Sequence, residues 1–167
     1  MLQLNLPHTI ANMFLFARTI SGRRPSPREL RAAYVEALID AQGNDLSRGP
    51  SVSVSFGERR VIRGEAPLLR EYGAVSFIPE DERALYREQI TKALALLGRL
   101  DRSLRDLVEL VVTDLSLLRG EKSGAFTVAW QLGVVHLLPD PSWDEVRWAD
   151  TLLHEAVHAN MHLADLV

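Results

Sequence analysis

The stretch TLLHEAVHANMHLADLV (151–167) carries the pattern His-Glu-x-x-His at 154–158, which decides how the rest of the sequence is interpreted. In an α-helix, residues four apart lie about 6 Å apart along the axis and about 40° apart around it. His154 and His158 therefore project side by side, close enough for both imidazoles to bind one divalent ion. Most of the residues around them are small or aliphatic, which predicts a core helix where ionisable groups are costly unless paired or coordinating. The pattern predicts a metal site.

Glu155 follows the first histidine directly, and in the peptidase version of this motif that glutamate activates a metal-bound water. A further metal ligand is harder to assign. His162 continues the four-residue spacing, but on an unbroken helix it lies about 12 Å from His154 along the axis. No Gly or Pro after His158 bends the helix, so His162 is interpreted as a neighbour of the ligands or as the next polar residue on that face.

His136, in the predicted strand GVVHLL, is the other candidate for the additional ligand. A lone histidine on an apolar strand face is more often a core or edge residue, so both interpretations stay open. The sequence also stops inside the predicted helix without a C-cap signal or a polar tail. This predicts that the natural protein continues beyond Val167 and that the missing ligand lies there.

Composition restricts the class of protein. A length of 167 residues predicts a single domain, and a net charge of -3 gives no sign of a nucleic-acid partner or an anionic membrane surface. Without cysteine the chain has no disulfide framework, no thiolate metal site and no cysteine nucleophile. The N-terminus lacks an early positive charge, and no apolar run is long enough to span a membrane. A cytoplasmic location fits these features.

The pattern of apolar residues predicts an α+β domain over 1–167, with a helical N-terminal section at 1–45 and a sheet with the His-Glu-x-x-His helix at 51–167. Two helices are predicted in the first forty residues, the second capped by Ser26-Pro27-Arg28-Glu29, and AQGNDLSRGP (41–50) is predicted to be a loop. SVSVSF (51–56) predicts a strand that turns into a hairpin with RRVIRG, AVSFIP predicts a short strand, and 79–100 predicts the clearest helix.

The C-terminal half contains an ambiguous segment, VELVVTDLSLL (108–118), whose β-branched residues favour a strand. GAFTVAW and GVVHLLP predict a hairpin around 131–133. Ser142 and Glu145 predict a capping box that begins the last helix. The expected fold is therefore a small, mostly antiparallel sheet with helices and a zincin-like active-site helix at the C-terminus.

The segments VVTDLSLL, KSGAF, GVVHLLP and LLHEAVH, in this order, resemble the HExxH-type peptide β-hydroxylases, which modify ribosomally made peptide natural products. The resemblance covers roughly residues 74–167. It implies an oxygenase that uses Fe(II) and 2-oxoglutarate to hydroxylate a side-chain β-carbon of a peptide. His154 and His158 would then be iron ligands, and Glu155 would orient a ligand or hold a water molecule.

Two other classes of function remain open. A zinc metallopeptidase would use the same histidines with Glu155 as the base, and an edge strand such as GVVHLL would hold an extended peptide. A non-catalytic or decayed domain would keep the helix only as structure. Arg119 and Lys122 are candidates for binding a 2-oxoglutarate carboxylate, although solvated turn charges are commoner. Trp130, Trp143 and Trp148 are interpreted mainly as core residues.

Overall fold

The structure, a computed structural model, describes residues 6–43, 46, 48, 53–54, 72–73 and 75–167. Its α-helices are α1 (Leu6–Ser21), α2 (Leu30–Gln42), α3 (Arg83–Leu100), α4 (Arg102–Val111) and α5 (Glu145–Ala164). Its strands are β1 (Ser53–Val54), β2 (Ser76–Phe77), β3 (Asp114–Arg119), β4 (Gly124–Phe126) and β5 (Val134–Leu138). Short 3-10 helices precede α3 and β5, at Glu80–Glu82 and Ala129–Gln131. The α+β class predicted from the sequence is confirmed.

The sheet is mixed, so the prediction of a mostly antiparallel sheet was wrong. Its strand order is β1-β3-β5-β4, and β2 pairs with the C-terminal end of β3, at Leu118 and Arg119. β1 and β5 run parallel to β3, whereas β2 runs antiparallel to β3 and β4 antiparallel to β5. All five residues of β5 and the first five of β3 are buried. Strands covered on both faces are typical of parallel pairing, and their apolar runs lack the alternation of a half-exposed antiparallel strand.

The segment 108–118 contains the end of a helix as well as a strand, so its assignment to a strand alone was wrong. α4 begins where the Asp101 side chain accepts a hydrogen bond from the Ser103 backbone N–H at 2.8 Å. Val108 and Val111 are spaced three apart and lie on the buried face of α4. Helical spacing therefore outweighs the β-preference of valine until Val111, and β3 starts at Asp114.

β4 and β5 pair antiparallel, as the predicted hairpin requires, but their connection is longer than a tight turn. Ala129–Gln131 forms a 3-10 helix within it, and Gly133 ends it with a φ of 85°. A Cβ at Gly133 would lie 2.9 Å from Thr113 Oγ1, whose hydroxyl donates to the Gly133 carbonyl. Glycine is therefore required both by the backbone conformation and by this close approach.

The predicted N-terminal helices are confirmed, with differences at their ends. Residues 27–29 form a turn and α2 begins at Leu30, while the Glu29 carboxylate accepts hydrogen bonds from the Ser26 backbone N–H and hydroxyl. Of the predicted hairpin at 51–64, the structure describes only Ser53–Val54, which is a strand. The RRVIRG segment and most of the 41–50 loop lie outside the described residues.

The helices share one hydrophobic core with one face of the sheet. Residues of α1 and α2, including Phe16 and Tyr34, belong to the same cluster as Trp148 and Leu152 of α5. Trp148 is 1% exposed and makes edge-on contacts with the rings of Tyr86 and Trp143. This packing fixes α5 against α3 and places its first turns beside β4. In the part of the chain described here, no helix is long and apolar enough to cross a membrane.

The start of α5 differs from the predicted capping box. Asp144 is the N-cap, and its side chain accepts a hydrogen bond from the Arg147 backbone N–H at 2.8 Å. Ser142 instead donates its backbone N–H and its hydroxyl to Asp140 Oδ1, at 2.8 and 2.6 Å. Asp144 thus takes the N-cap position, because Ser142 is already hydrogen-bonded to Asp140 in the preceding turn.

Candidate functional site

His154 and His158 lie on one side of α5 with their ring nitrogens converging. Their Nε2 atoms are 2.9 Å apart, and the ring centroids are 4.6 Å apart with the planes at 73°. His154 is exposed and His158 is half-buried, so solvent reaches the pair. At this spacing a single ion can lie about 2.0–2.1 Å from each nitrogen, the usual bond length for imidazole on zinc. The arrangement fits two ligands of a metal ion.

Glu155 points into the protein and is 4% exposed. Burial raises the pKa of this carboxyl, and the nearby His158 and His154 together with a hydrogen bond to the Thr127 side chain act in the opposite direction. Its Oε2 atom is buried and has no hydrogen-bond partner. A buried carboxylate oxygen without a partner is costly, and a ligand or a metal-bound water would satisfy it.

A cavity of about 200 Å³ lies between β4 and the first turns of α5. It is lined by Gly124, Ala125, Trp143, Arg147, Asp150, Thr151, His154 and Glu155. β4 contributes only its small residues to the lining, while α5 contributes charged and hydroxyl side chains. His154 and the buried Glu155 therefore line the same polar cavity, which lies beside β4, the last strand in the described sheet order.

Arg147 is the cationic residue of this lining, and no sequence motif points to it. Its guanidinium lies 5.6 Å from the centre of the Trp143 ring, and its Nη1 lies 3.3 Å from Asp150 Oδ2. Both members of the ion pair are exposed, so the pair contributes little stability. Trp143 is half-buried and edge-on to Trp148, so it is both a core contact and a wall of the cavity.

His136, the alternative metal ligand, is 0% exposed and lies on β5. Its Nε2 is 2.9 Å from Gln131 Oε1, and its ring stacks on Phe126 at 4.7 Å. Val135 and Leu137, on either side of it, belong to the main core together with residues of α5. Because successive strand residues face opposite sides, His136 faces away from α5, and burial lowers its pKa to about 4. The structure does not bring His136 together with the His154–His158 pair.

His162 also stays apart from the pair. α5 is continuous from Glu145 to Ala164, so His162 lies one further turn beyond His158, without the bend that shared coordination would need. No group of three or more His, Cys, Asp or Glu side chains that could hold a metal occurs among the described residues. Among the described residues, the structure therefore brings together two candidate nitrogen ligands, His154 and His158.

Arg119 and Lys122, which were predicted to bind a 2-oxoglutarate carboxylate, lie beside a different cavity from His154 and Glu155. Arg119 pairs with Glu82 at 2.5 Å, and both Arg119 and Lys122 line a separate cavity of about 170 Å³ near the β3–β4 turn. Of the tryptophans, Trp148 is confirmed as a core residue, whereas Trp130 is 56% exposed. Neither Arg119 nor Lys122 lines the cavity that contains His154 and Glu155.

Comparison with known proteins adds no assignment. No protein-family model matches the chain. No curated protein matches it significantly.

Proposed function

We propose that this chain is a metal-dependent peptide-modifying enzyme that uses Fe(II) and 2-oxoglutarate to hydroxylate a β-carbon of a peptide side chain. The observation that carries the proposal is the 2.9 Å convergence of the His154 and His158 Nε2 atoms beside the cavity between β4 and α5. The choice of hydroxylation follows the sequence resemblance to the HExxH-type peptide β-hydroxylases. Imidazole nitrogens are suitable ligands for Fe(II) as well as for zinc.

In this proposal His154 and His158 hold the ion at the surface of α5. Iron with its keto acid supplies the oxidising chemistry when bound, and the chain's task is to bind and orient the peptide. The GVVHLL strand predicted to hold a peptide is β5, which lies between β3 and β4, so β4 is instead the end strand of the described order whose main-chain groups can pair with an extended peptide. Glu155 orients a bound water or a substrate N–H through the oxygen that has no protein partner.

A zinc metallopeptidase is the second candidate, and Glu155 is the observation that favours it. This carboxylate lies next to the histidine pair, lines the cavity, and has its pKa raised by burial. A general base works best when its pKa lies near the operating pH, so a raised carboxyl pKa suits the activation of a metal-bound water. The same residues would then hydrolyse a peptide bond.

The experiment that separates the candidates starts with the protein under anaerobic conditions. Fe(II) is added first and 2-oxoglutarate second, and the visible charge-transfer band of an iron-chelated keto acid is recorded. The band is expected in the wild type, absent in His154→Ala and in His158→Ala, and retained in the matched control His162→Ala. The control removes the same side chain one turn further along the same helix.

A band that is lost in the two variants supports the oxygenase and makes peptide hydroxylation the next assay. Tight zinc binding without a keto-acid band favours the peptidase. Binding of neither metal overturns both proposals for this chain and favours a domain that keeps the helix only as structure.

A further inference from the structure

We infer that the cavity between β4 and α5 binds a carboxamide side chain, Asn or Gln, of the peptide substrate through Thr151 and Glu155. The inference rests on the proposed function only in taking the ligand to be part of a peptide. It adds a chemical class to the substrate and assigns Thr151 as a residue that determines specificity.

Two residues that line this cavity, Thr151 and Glu155, each carry a buried polar atom without a hydrogen-bond partner. Thr151 is 6% exposed and Glu155 is 4% exposed, and Thr151 Oγ1 and Glu155 Oε2 are both buried without a hydrogen-bond partner. They lie four residues apart, about 6 Å along the axis of α5, and both line the cavity. Buried polar atoms are almost always hydrogen-bonded in folded proteins, so two such atoms on residues that line one cavity favour a ligand that pairs with them.

The charges around the cavity select a neutral ligand. A carboxylate would approach Asp150 and Glu155, whereas an amine or guanidinium would approach Arg147 and any cation held by the histidines. A carboxamide carries no charge and combines two N–H donors with one carbonyl acceptor. Its N–H can donate to Glu155 Oε2, and its carbonyl can accept from the Thr151 hydroxyl.

The shape of the cavity agrees with a single side chain. Its volume of about 200 Å³ is below that of typical pockets for drug-sized ligands. Gly124 and Ala125 leave space on the strand side, and the half-buried Trp143 ring forms an apolar wall against which a side-chain methylene can pack. Side chains alternate between the two faces of a strand, so an extended peptide paired with β4 would direct every second side chain towards the face on which α5 and this cavity lie.

The test uses the metal-free protein and three capped amino acids, so that binding is measured without catalysis. N-acetyl-asparagine N-methylamide, its aspartate analogue and its leucine analogue are each titrated to about 50 mM against ¹⁵N-labelled protein, a range suited to millimolar affinity. Backbone amide shifts are followed at Gly124, Ala125, Thr151 and Glu155. The asparagine probe is expected to give saturable shifts at these residues, and the other probes at least fivefold weaker binding.

Two variants make the test specific. Thr151→Val keeps the shape of the side chain but removes the hydroxyl, and is expected to weaken binding of the asparagine probe about five- to tenfold. Ser116→Ala is the matched control, because Ser116 Oγ is also buried without a partner but Ser116 does not line the cavity. It should leave binding unchanged.

Absence of saturable shifts, equal binding of the leucine or aspartate probe, or unchanged binding in Thr151→Val would each overturn the inference. A failure of the proposed function looks different, because the keto-acid band would then be missing while the asparagine shifts remain. If only this inference fails, the band remains and the shifts are missing.

Discussion

The Nε2 atoms of His154 and His158 meet at the surface of α5, 2.9 Å apart, while the intervening Glu155 turns inward and is 4% exposed. Helix geometry produces this division, since residues four apart share a side and the next residue lies about 100° around the axis. The pair can therefore receive an ion from solvent without opening the core. The buried Glu155 and His154 both line the cavity beside β4, so the carboxyl lies close to the histidine pair.

Addition of zinc should raise the melting temperature of the protein. An ion at one hundred times its Kd stabilises the folded state by about 2.7 kcal/mol, provided that the unfolded chain does not bind it. For a chain of this size, each kcal/mol corresponds to about 2–4 °C, so the expected shift is about 5–10 °C. Differential scanning calorimetry with and without zinc measures this shift directly.

The variants for this measurement are His154→Ala and His162→Ala. The first removes one of the converging nitrogens and should abolish the zinc-dependent shift, while the second should retain it. An equal shift in wild type and His154→Ala would show that zinc binds elsewhere on the chain and would contradict the assignment of the pair.

Glu155→Gln should leave metal binding intact and distinguish the two chemistries. The amide keeps the shape of the side chain and can still accept the hydrogen bond from Thr127, so the fold should be as stable as wild type or more stable, because a buried charge is removed. If the protein is a peptidase, loss of its general base should lower the rate of hydrolysis about 10²- to 10⁴-fold. The keto-acid band of an oxygenase should persist in the same variant, and its disappearance would indicate that Glu155 touches the ion.

Sequence patterns predicted the elements whose signals are local. The apolar spacing in 79–100 corresponds to α3, and the cap predicted at 26–29 and the loop predicted at 41–50 lie close to the start and the end of α2. Val108 and Val111 led to the wrong strand assignment because valine favours strands, whereas these two residues also fit one face of a helix. The N-cap at Asp101 had not been recognised. The parallel pairing of β3 and β5 was missed because pairing direction depends on contacts between distant segments.

The same distinction applies to the candidate site. His154, Glu155 and His158 are found by a five-residue motif, because one helix suffices to bring them together. Arg147 and Thr151 carry no motif, and their position beside His154 and Glu155 in the cavity lining is seen only once β4 and α5 are packed together. His136 could be excluded from the pair only after the sheet face on which it lies was known.

Asp144→Ala should destabilise the protein more than Ser142→Ala. Asp144 accepts the Arg147 N–H at 2.8 Å as the N-cap of α5, and loss of such a cap costs about 1 kcal/mol. Ser142 contacts only the turn at Asp140 in the hydrogen bonds described, so its replacement should cost less than about 0.5 kcal/mol. Urea unfolding of both variants measures the difference. A larger loss in Ser142→Ala would restore the capping box expected from the sequence.

Acidification should destabilise the protein through His136. Burial lowers the pKa of this ring to about 4 in the folded state, whereas an unfolded histidine has a pKa of about 6.5. Between these values the unfolded chain binds more protons, so the stability associated with the neutral ring is present above the unfolded pKa and is lost as the pH falls towards the folded one. The expected loss between pH 7 and pH 5 is about 2 kcal/mol.

His136→Gln isolates this contribution, because glutamine does not titrate and retains a polar group near Gln131. The variant is expected to be less stable than wild type at pH 7, since it loses the stacking of the ring on Phe126. Its stability should fall less steeply with acidification. Urea unfolding gives the stability of wild type and variant at each pH, and the contributions of the other titrating groups cancel in the difference between the two curves. Curves that fall in parallel would mean that His136 ionises equally in the folded and unfolded states, contrary to its complete burial on β5.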